Sequence, residues 1–123
     1  MSTVRNVTTA EAAAMTLEDY GPISADIGVA LDGPMSHRGV VFYQNEATGV
    51  MAGLWEIDAG RISTDFEGGG ETVHIVAGRL IATEEGGEPL DLGPGDVATF
   101  PPGWRGEWRF PEPMRKLYTV FKG

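Results

Sequence analysis

Two pairs of residues carry most of the acid–base chemistry legible in this sequence. Asp65 and Glu67 stand two apart in an extended stretch, so the period-two alternation of a strand puts both carboxylates on one face. Lys116 and Tyr118 stand two apart in the last apolar stretch and share a face for the same reason. Carboxylates gathered without a counter-charge repel one another until at least one takes up a proton. A hard divalent cation such as manganese or magnesium would relieve the repulsion with an all-oxygen ligand set, and a basic side chain would relieve it equally. The competing reading makes Asp65 and Glu67 ordinary solvated residues beside Gly68-Gly69-Gly70, and Lys116 a surface lysine.

The remaining chemistry is sparse. Trp55, Trp104 and Trp108 are candidates for a ligand pocket, although aromatic side chains most often fill cores and interfaces. His74 sits inside an apolar strand, three residues beyond Glu71 and so on the opposite face, which suits a packed or interface histidine better than a ligand. His37 lies in an irregular stretch and says little. Arg79 and Arg105 could meet an anion, but surface solvation is their default. The triple glycine lacks both a following helix and a Lys-Ser/Thr, so a phosphate-cradling loop is not supported.

Composition narrows the classes further. The chain has 123 residues, enough for one domain with a real core and too few for two. Its net charge of −9, from 18 acidic against 9 basic residues, repels a phosphate backbone, so nucleic acid is a poor partner. No cysteine is present, which removes disulfides, thiolate catalysis and cysteine-based zinc sites. Residues 1–15 are polar and alanine-rich without an apolar centre, unlike a secretory signal, and no apolar run is long enough to span a membrane as a helix. The expectation is a cytoplasmic domain.

Eighteen glycines and eight prolines leave little room for long helices. The one helical hint runs from Thr9 to Leu17, with Thr9 as its cap. Tyr20 to Arg38 reads as an irregular lead-in with one short strand at most. From Gly39 onward, short apolar stretches alternate with turns: Val40–Tyr43, Val50–Ile57, Ile62–Phe66, Val73–Ala77, Leu80–Thr83, Leu90–Leu92, Val97–Phe100, Glu107–Phe110 and Arg115–Phe121. Glu85-Gly86-Gly87 predicts a hairpin turn. Turns every eight to twelve residues or so, with no helical blocks, predict a sandwich or barrel.

Two landmarks resemble the sequence motifs of the RmlC-like cupin superfamily. Glu71 and Gly78 carry the closing E(x)6G spacing of the first motif. Gly95 and Pro101-Pro102-Gly103 carry the opening glycine and the PxG of the second. Trp55-Glu56 and Arg115-Lys116-Leu117-Tyr118 are similar to strands of a subgroup that includes ethanolamine-utilisation cupins and the ureidoglycine aminohydrolase cupin domain. The resemblance runs from about Gly39 to Phe121. It implies an all-β fold, a double-stranded β-helix or jelly-roll barrel at 39–123, preceded by an irregular or partly helical lead-in at 1–38 that packs on it.

The resemblance also shows what is missing. The two histidines of the first motif fall on Asp65 and Glu67, or on Thr64 and Phe66 if the spacing is one residue longer; the histidine of the second motif falls on Gly106 and its asparagine on Phe110. Only Glu71 remains of the family's metal ligands. The implied metal set is Asp65, Glu67 and Glu71, holding no cation or one such as manganese. Lys116 is the alternative partner for Glu71, and Trp108 faces the barrel where the absent histidine leaves room. Trp104, after the Pro-Pro-Gly turn, would lid the mouth or meet a second copy.

Two functions stand at this point. One is a barrel with its histidine metal site largely lost, holding a small polar metabolite. The other is a metal-dependent enzyme, aminohydrolase- or isomerase-like, with Glu71 as ligand or base and Lys116 or Tyr118 as acid. Cupins commonly pair through their sheets, so the resemblance implies a homodimer.

Overall fold

The computed structural model describes residues 4–123, and residues 1–3 of the lead-in lie outside it. Thr8 opens the short helix α1 (Thr9–Ala14) through a capping box: its hydroxyl accepts from the Glu11 amide, and the Glu11 carboxylate accepts from the Thr8 amide. The cap is therefore Thr8 rather than Thr9. The helix stops three residues short of Leu17 because Met15 turns extended.

Gly- and Pro-rich punctuation divides the rest into short strands. They are β1 (Glu18–Pro22), β2 (Val29–Ala30), β3 (Ser36–Asn45), β4 (Val50–Ile57), β5 (Gly60–Asp65), β6 (Gly69–Ala77), β7 (Leu80–Glu84), β8 (Pro89–Leu92), β9 (Val97–Phe100), β10 (Arg105–Phe110) and β11 (Met114–Lys122). They form two antiparallel sheets, one in the order β1-β3-β4-β11-β6-β9 and one in the order β2-β5-β10-β7-β8. This is the jelly-roll barrel. The lead-in contributes more strand than its sequence advertises: β1 and β2 are edge strands of the two sheets, and β3 already begins at Ser36.

The Glu85–Gly87 turn closes the β7–β8 hairpin, as its residues predict. Gly78 does something different. It carries the chain from β6 in one sheet to β7 in the other, at φ +77°. A Cβ there would collide with the Pro113 carbonyl and come within 2.8 Å of the Met114 backbone. The crossing therefore requires glycine.

Between the sheets, Ile57, Ile62, Val73, Ile75, Leu80, Phe110 and Met114 are fully buried in one cluster. Each stabilises the fold by about 1.5–3 kcal/mol relative to exposure. The core leaves one end of the barrel open, and there the inward positions turn from aliphatic to aromatic and charged.

Candidate functional site

Alternation along the strands builds the site. On β11, Lys116 and Tyr118 face inward, while Arg115 faces out. On β4, Trp55 faces inward while Glu56 faces out to receive Arg115 and Arg38 at 2.9 and 2.7 Å. Arg115 also donates to the carbonyls of Ala12 and Met15, tying α1 to the barrel. The Trp-Glu and Arg-Lys-x-Tyr stretches thus divide their work by parity: one residue braces the outside, its neighbour lines the inside.

Lys116 is the centre of the interior. Its ammonium lies 2.6 Å from the Glu71 carboxylate. It also lies 4.5 Å from the Trp55 ring centroid, 4.6 Å from that of Trp108 and 6.0 Å from that of Tyr118. Lys116 is 3% and Glu71 6% exposed. Two buried charges so placed cancel, and the aromatic faces add cation–π attraction. Burial pulls the Lys116 pKa below its ordinary value, while Glu71 acts to raise it. Burial pushes the Tyr118 phenol up to about 12, with Tyr20 and Glu71 adding to the rise.

Beside this pair opens a cavity of about 390 Å³, in the range of small-molecule sites. Trp55, Trp108, Tyr118 and Lys116 line it from the strands, while Tyr20, Asp26 and Ile27 close it from the lead-in. Thr64 helps hold that wall, donating its hydroxyl to the Ile27 carbonyl at 3.1 Å. Gly39 leaves room for Tyr20, since a Cβ there would stand 3.1 Å from its ring. One polar atom stands out. The Trp108 indole N–H is buried and has no hydrogen-bond partner.

His37 is the residue that sequence reasoning passed over. It is buried on β3, lines the cavity and accepts the Trp55 indole N–H on Nδ1 at 2.8 Å. That bond requires the neutral ring, and burial lowers its pKa accordingly, with Asp26 and Asp19 partly opposing and Arg38 adding to the lowering. The signal was present: His37, Gly39 and Val41 share one face at period two, continuing an apolar strand backward. Tyr20 meets His37 edge-on at 5.3 Å.

The expected metal set does not assemble. Thr64 and Phe66, not Asp65 and Glu67, are the more inward pair, as the longer motif spacing allows. Asp65 reaches only the cavity rim and pairs with Arg105 at 3.2 Å, and Glu67 is exposed in the turn. Among the described residues no three His, Asp or Glu side chains form a group able to hold a metal ion. Glu71, the one family-type ligand, already holds an ammonium that would repel a dication. A resident metal therefore does not fit this donor set.

One other expectation is corrected. Trp104 does not line the cavity; it packs behind it against Phe100, Phe66 and Trp108, at 5.0, 6.2 and 6.5 Å between centroids. Arg79 is a surface residue paired with Asp91 at 2.9 Å, in keeping with its default. His74 is on the outer face, as alternation predicts, and is exposed there.

Known proteins agree with this fold. A protein of unknown function in the DUF861 family from Pseudomonas syringae pv. tomato matches with TM-score 0.74 and 20% identity, over 88% of this chain and 45% of its own. The Clostridium difficile EutQ protein matches with TM-score 0.62 and 13% identity, over 72% of this chain and 64% of its own. A protein described as ethanolamine utilization protein Q, from Salmonella typhimurium LT2, matches with TM-score 0.62 and 19% identity, over 87% of this chain and 98% of its own. The chain thus spans less than two thirds of the first two relatives. No curated protein matches the sequence. Residues 45–118, more than half of the chain, match the family described as the EutQ-like cupin domain. The chain belongs to the EutQ-like cupin family.

Proposed function

We propose that this barrel is a metal-independent binding site for one small, uncharged molecule with an apolar body and an oxygen acceptor. The observation that carries the reading is an open cavity whose buried Lys116–Glu71 pair is already closed and whose lining residue Trp108 has a buried indole N–H without a partner. A buried donor without a partner costs about 1–3 kcal/mol, and a ligand oxygen would recover that. Lys116 and Glu71 neutralise each other, and His37 is neutral, so the cavity offers an anion no free cation among the described residues. Ile27, Val41, Met51 and Val120 suit an aliphatic body.

The test is a titration followed by tryptophan fluorescence, since Trp55 and Trp108 line the site. Short alcohols, amides and ketones should quench; carboxylates of equal size should not. Trp108→Phe should weaken the neutral ligands by about five- to tenfold, roughly the worth of one hydrogen bond. A preference for carboxylates, or an affinity that Trp108→Phe leaves unchanged, would overturn the reading. The carboxylate-lined, metal-dependent enzyme is disfavoured because Glu67 is exposed in the turn and Asp65, at the cavity rim, is paired with Arg105.

Homodimerisation and a cytoplasmic location are part of the same proposal. Each sheet has two edge strands, β1 and β9 in one and β2 and β8 in the other, that a second copy could extend. Light scattering on the purified chain tests the dimer. No helix of the described residues is long and apolar enough to cross a membrane.

A further inference from the structure

We propose that Lys116 captures a small aldehyde in the barrel as a covalent imine, with Glu71 carrying the proton. This rests on the neutral-ligand reading above and makes the acceptor oxygen that of a carbonyl. Three features of the geometry meet here: a primary amine deep in a largely apolar cavity, a carboxylate 2.6 Å from it, and the lining residue Trp108, whose ring covers the amine at 4.6 Å and whose indole N–H has no partner.

The proton balance closes without any outside reagent. Glu71 takes a proton from the Lys116 ammonium, leaving an amine and a carboxylic acid. The amine lone pair attacks the carbonyl carbon, the C=O π pair moves to oxygen, and a proton passes from nitrogen to that oxygen, giving a carbinolamine. Trp108 N–H is the available donor for the oxygen as charge develops on it. Glu71 then protonates the hydroxyl, which leaves as water while the nitrogen lone pair forms the C=N bond. An iminium beside a carboxylate remains, so the buried ion pair is restored at the end.

The surroundings suit that product as well as the starting lysine. Trp55 and Trp108 already cover the nitrogen at 4.5 and 4.6 Å, and a planar iminium keeps the same cation–π contacts. Desolvation, which lowers the lysine pKa here, is also what activates imine-forming lysines in apolar sites.

The sequence supplies its own control, because it contains just two lysines, and Lys122 is exposed at the end of β11. The intact chain is incubated with butanal and cyanoborohydride near neutral pH, and the two lysines are compared by peptide mass mapping. Lys116 should be alkylated at least about tenfold faster than Lys122, despite its burial. Glu71→Gln should abolish labelling of Lys116 and leave Lys122 unchanged. Lys116→Arg keeps the charge and should gain no adduct at that position. If 1-butanol quenches tryptophan fluorescence while Lys116 stays unlabelled, the imine is overturned and the binding site stands. If 1-butanol does not bind and Lys116 stays unlabelled, both readings fall. Equal labelling in Glu71→Gln would overturn the proton role of Glu71.

Discussion

The Lys116 ammonium lies 2.6 Å from the Glu71 carboxylate, with both residues more than nine-tenths buried in the barrel. The pair satisfies an acidic residue that the first cupin motif places indoors. It also has an energetic signature that separates it from a surface ion pair.

Removing one partner strands the other. Lys116→Met should destabilise the fold by about 3–5 kcal/mol, because it leaves an uncompensated buried carboxylate. The double variant Lys116→Met/Glu71→Leu should recover most of that loss. Denaturant unfolding of the two singles and the double gives the coupling energy. A Lys116→Met variant as stable as the parent would show that the pair contributes nothing.

His37 should make stability fall on mild acidification. Its folded pKa is lowered from 6.5, chiefly by burial, so the unfolded chain takes up the proton first as pH falls. The contribution is complete above pH 6.5 and is lost as pH drops through the lowered folded value. Protonation also removes the acceptor for the Trp55 indole. Denaturant midpoints measured between pH 7 and 5 should fall more steeply for the parent than for His37→Gln. Parallel curves would contradict this.

Tyr118 should titrate late. Its phenol ionises at about 12 in the fold, against 10.0 ordinarily, so the folded state holds its proton while the unfolded state sheds it. The stability this gives is complete below pH 10 and lost as pH rises through about 12. The hydroxyl accordingly stays a hydrogen-bond donor at neutral pH. Ultraviolet absorbance titration of the parent against Tyr118→Phe reads the late phenolate directly. A phenolate of ordinary pKa at this position would mean that the cavity is wetter than its lining implies.

Arg115 should hold the lead-in. It bonds Glu56 on β4 and two carbonyls at the end of α1, with its side chain only 11% exposed. Arg115→Ala should cost about 1.5–3 kcal/mol, the range for hydrogen bonds to a charged group, and should expose residues 4–17 to limited proteolysis. An unchanged cleavage pattern would show that α1 is held by other contacts.

Gly78→Ala should cost at least about 1–3 kcal/mol through its positive φ alone, with the Pro113 carbonyl clash added. Thermal unfolding checks it. A tolerated alanine would mean that the β6–β7 crossing can relax.

The sequence by itself determined the architecture, because turns and alternation are local. Gly and Pro placed β4 and β9 to the residue and most other strands to within a few. Parity along β11 put Lys116 and Tyr118 on one face whatever lay opposite. Where the turn chemistry was ambiguous, the reading failed: the Gly68–Gly70 run left open which of Asp65/Glu67 or Thr64/Phe66 faced in. A strand shifted by one residue exchanges its faces, and no local signal chose between the two.

Tertiary structure decided the site. Glu71, Trp55, Trp108 and Lys116 come from four strands, and only the β4-β11-β6 register and the closure of one sheet over the other bring them around one nitrogen. His37 and Tyr20 joined them because the lead-in is woven into the sheet edge, which its loop-like composition concealed. Charge chose the rest. A buried carboxylate needs a counter-charge, and the Lys116 ammonium stands 2.6 Å from Glu71 to supply it.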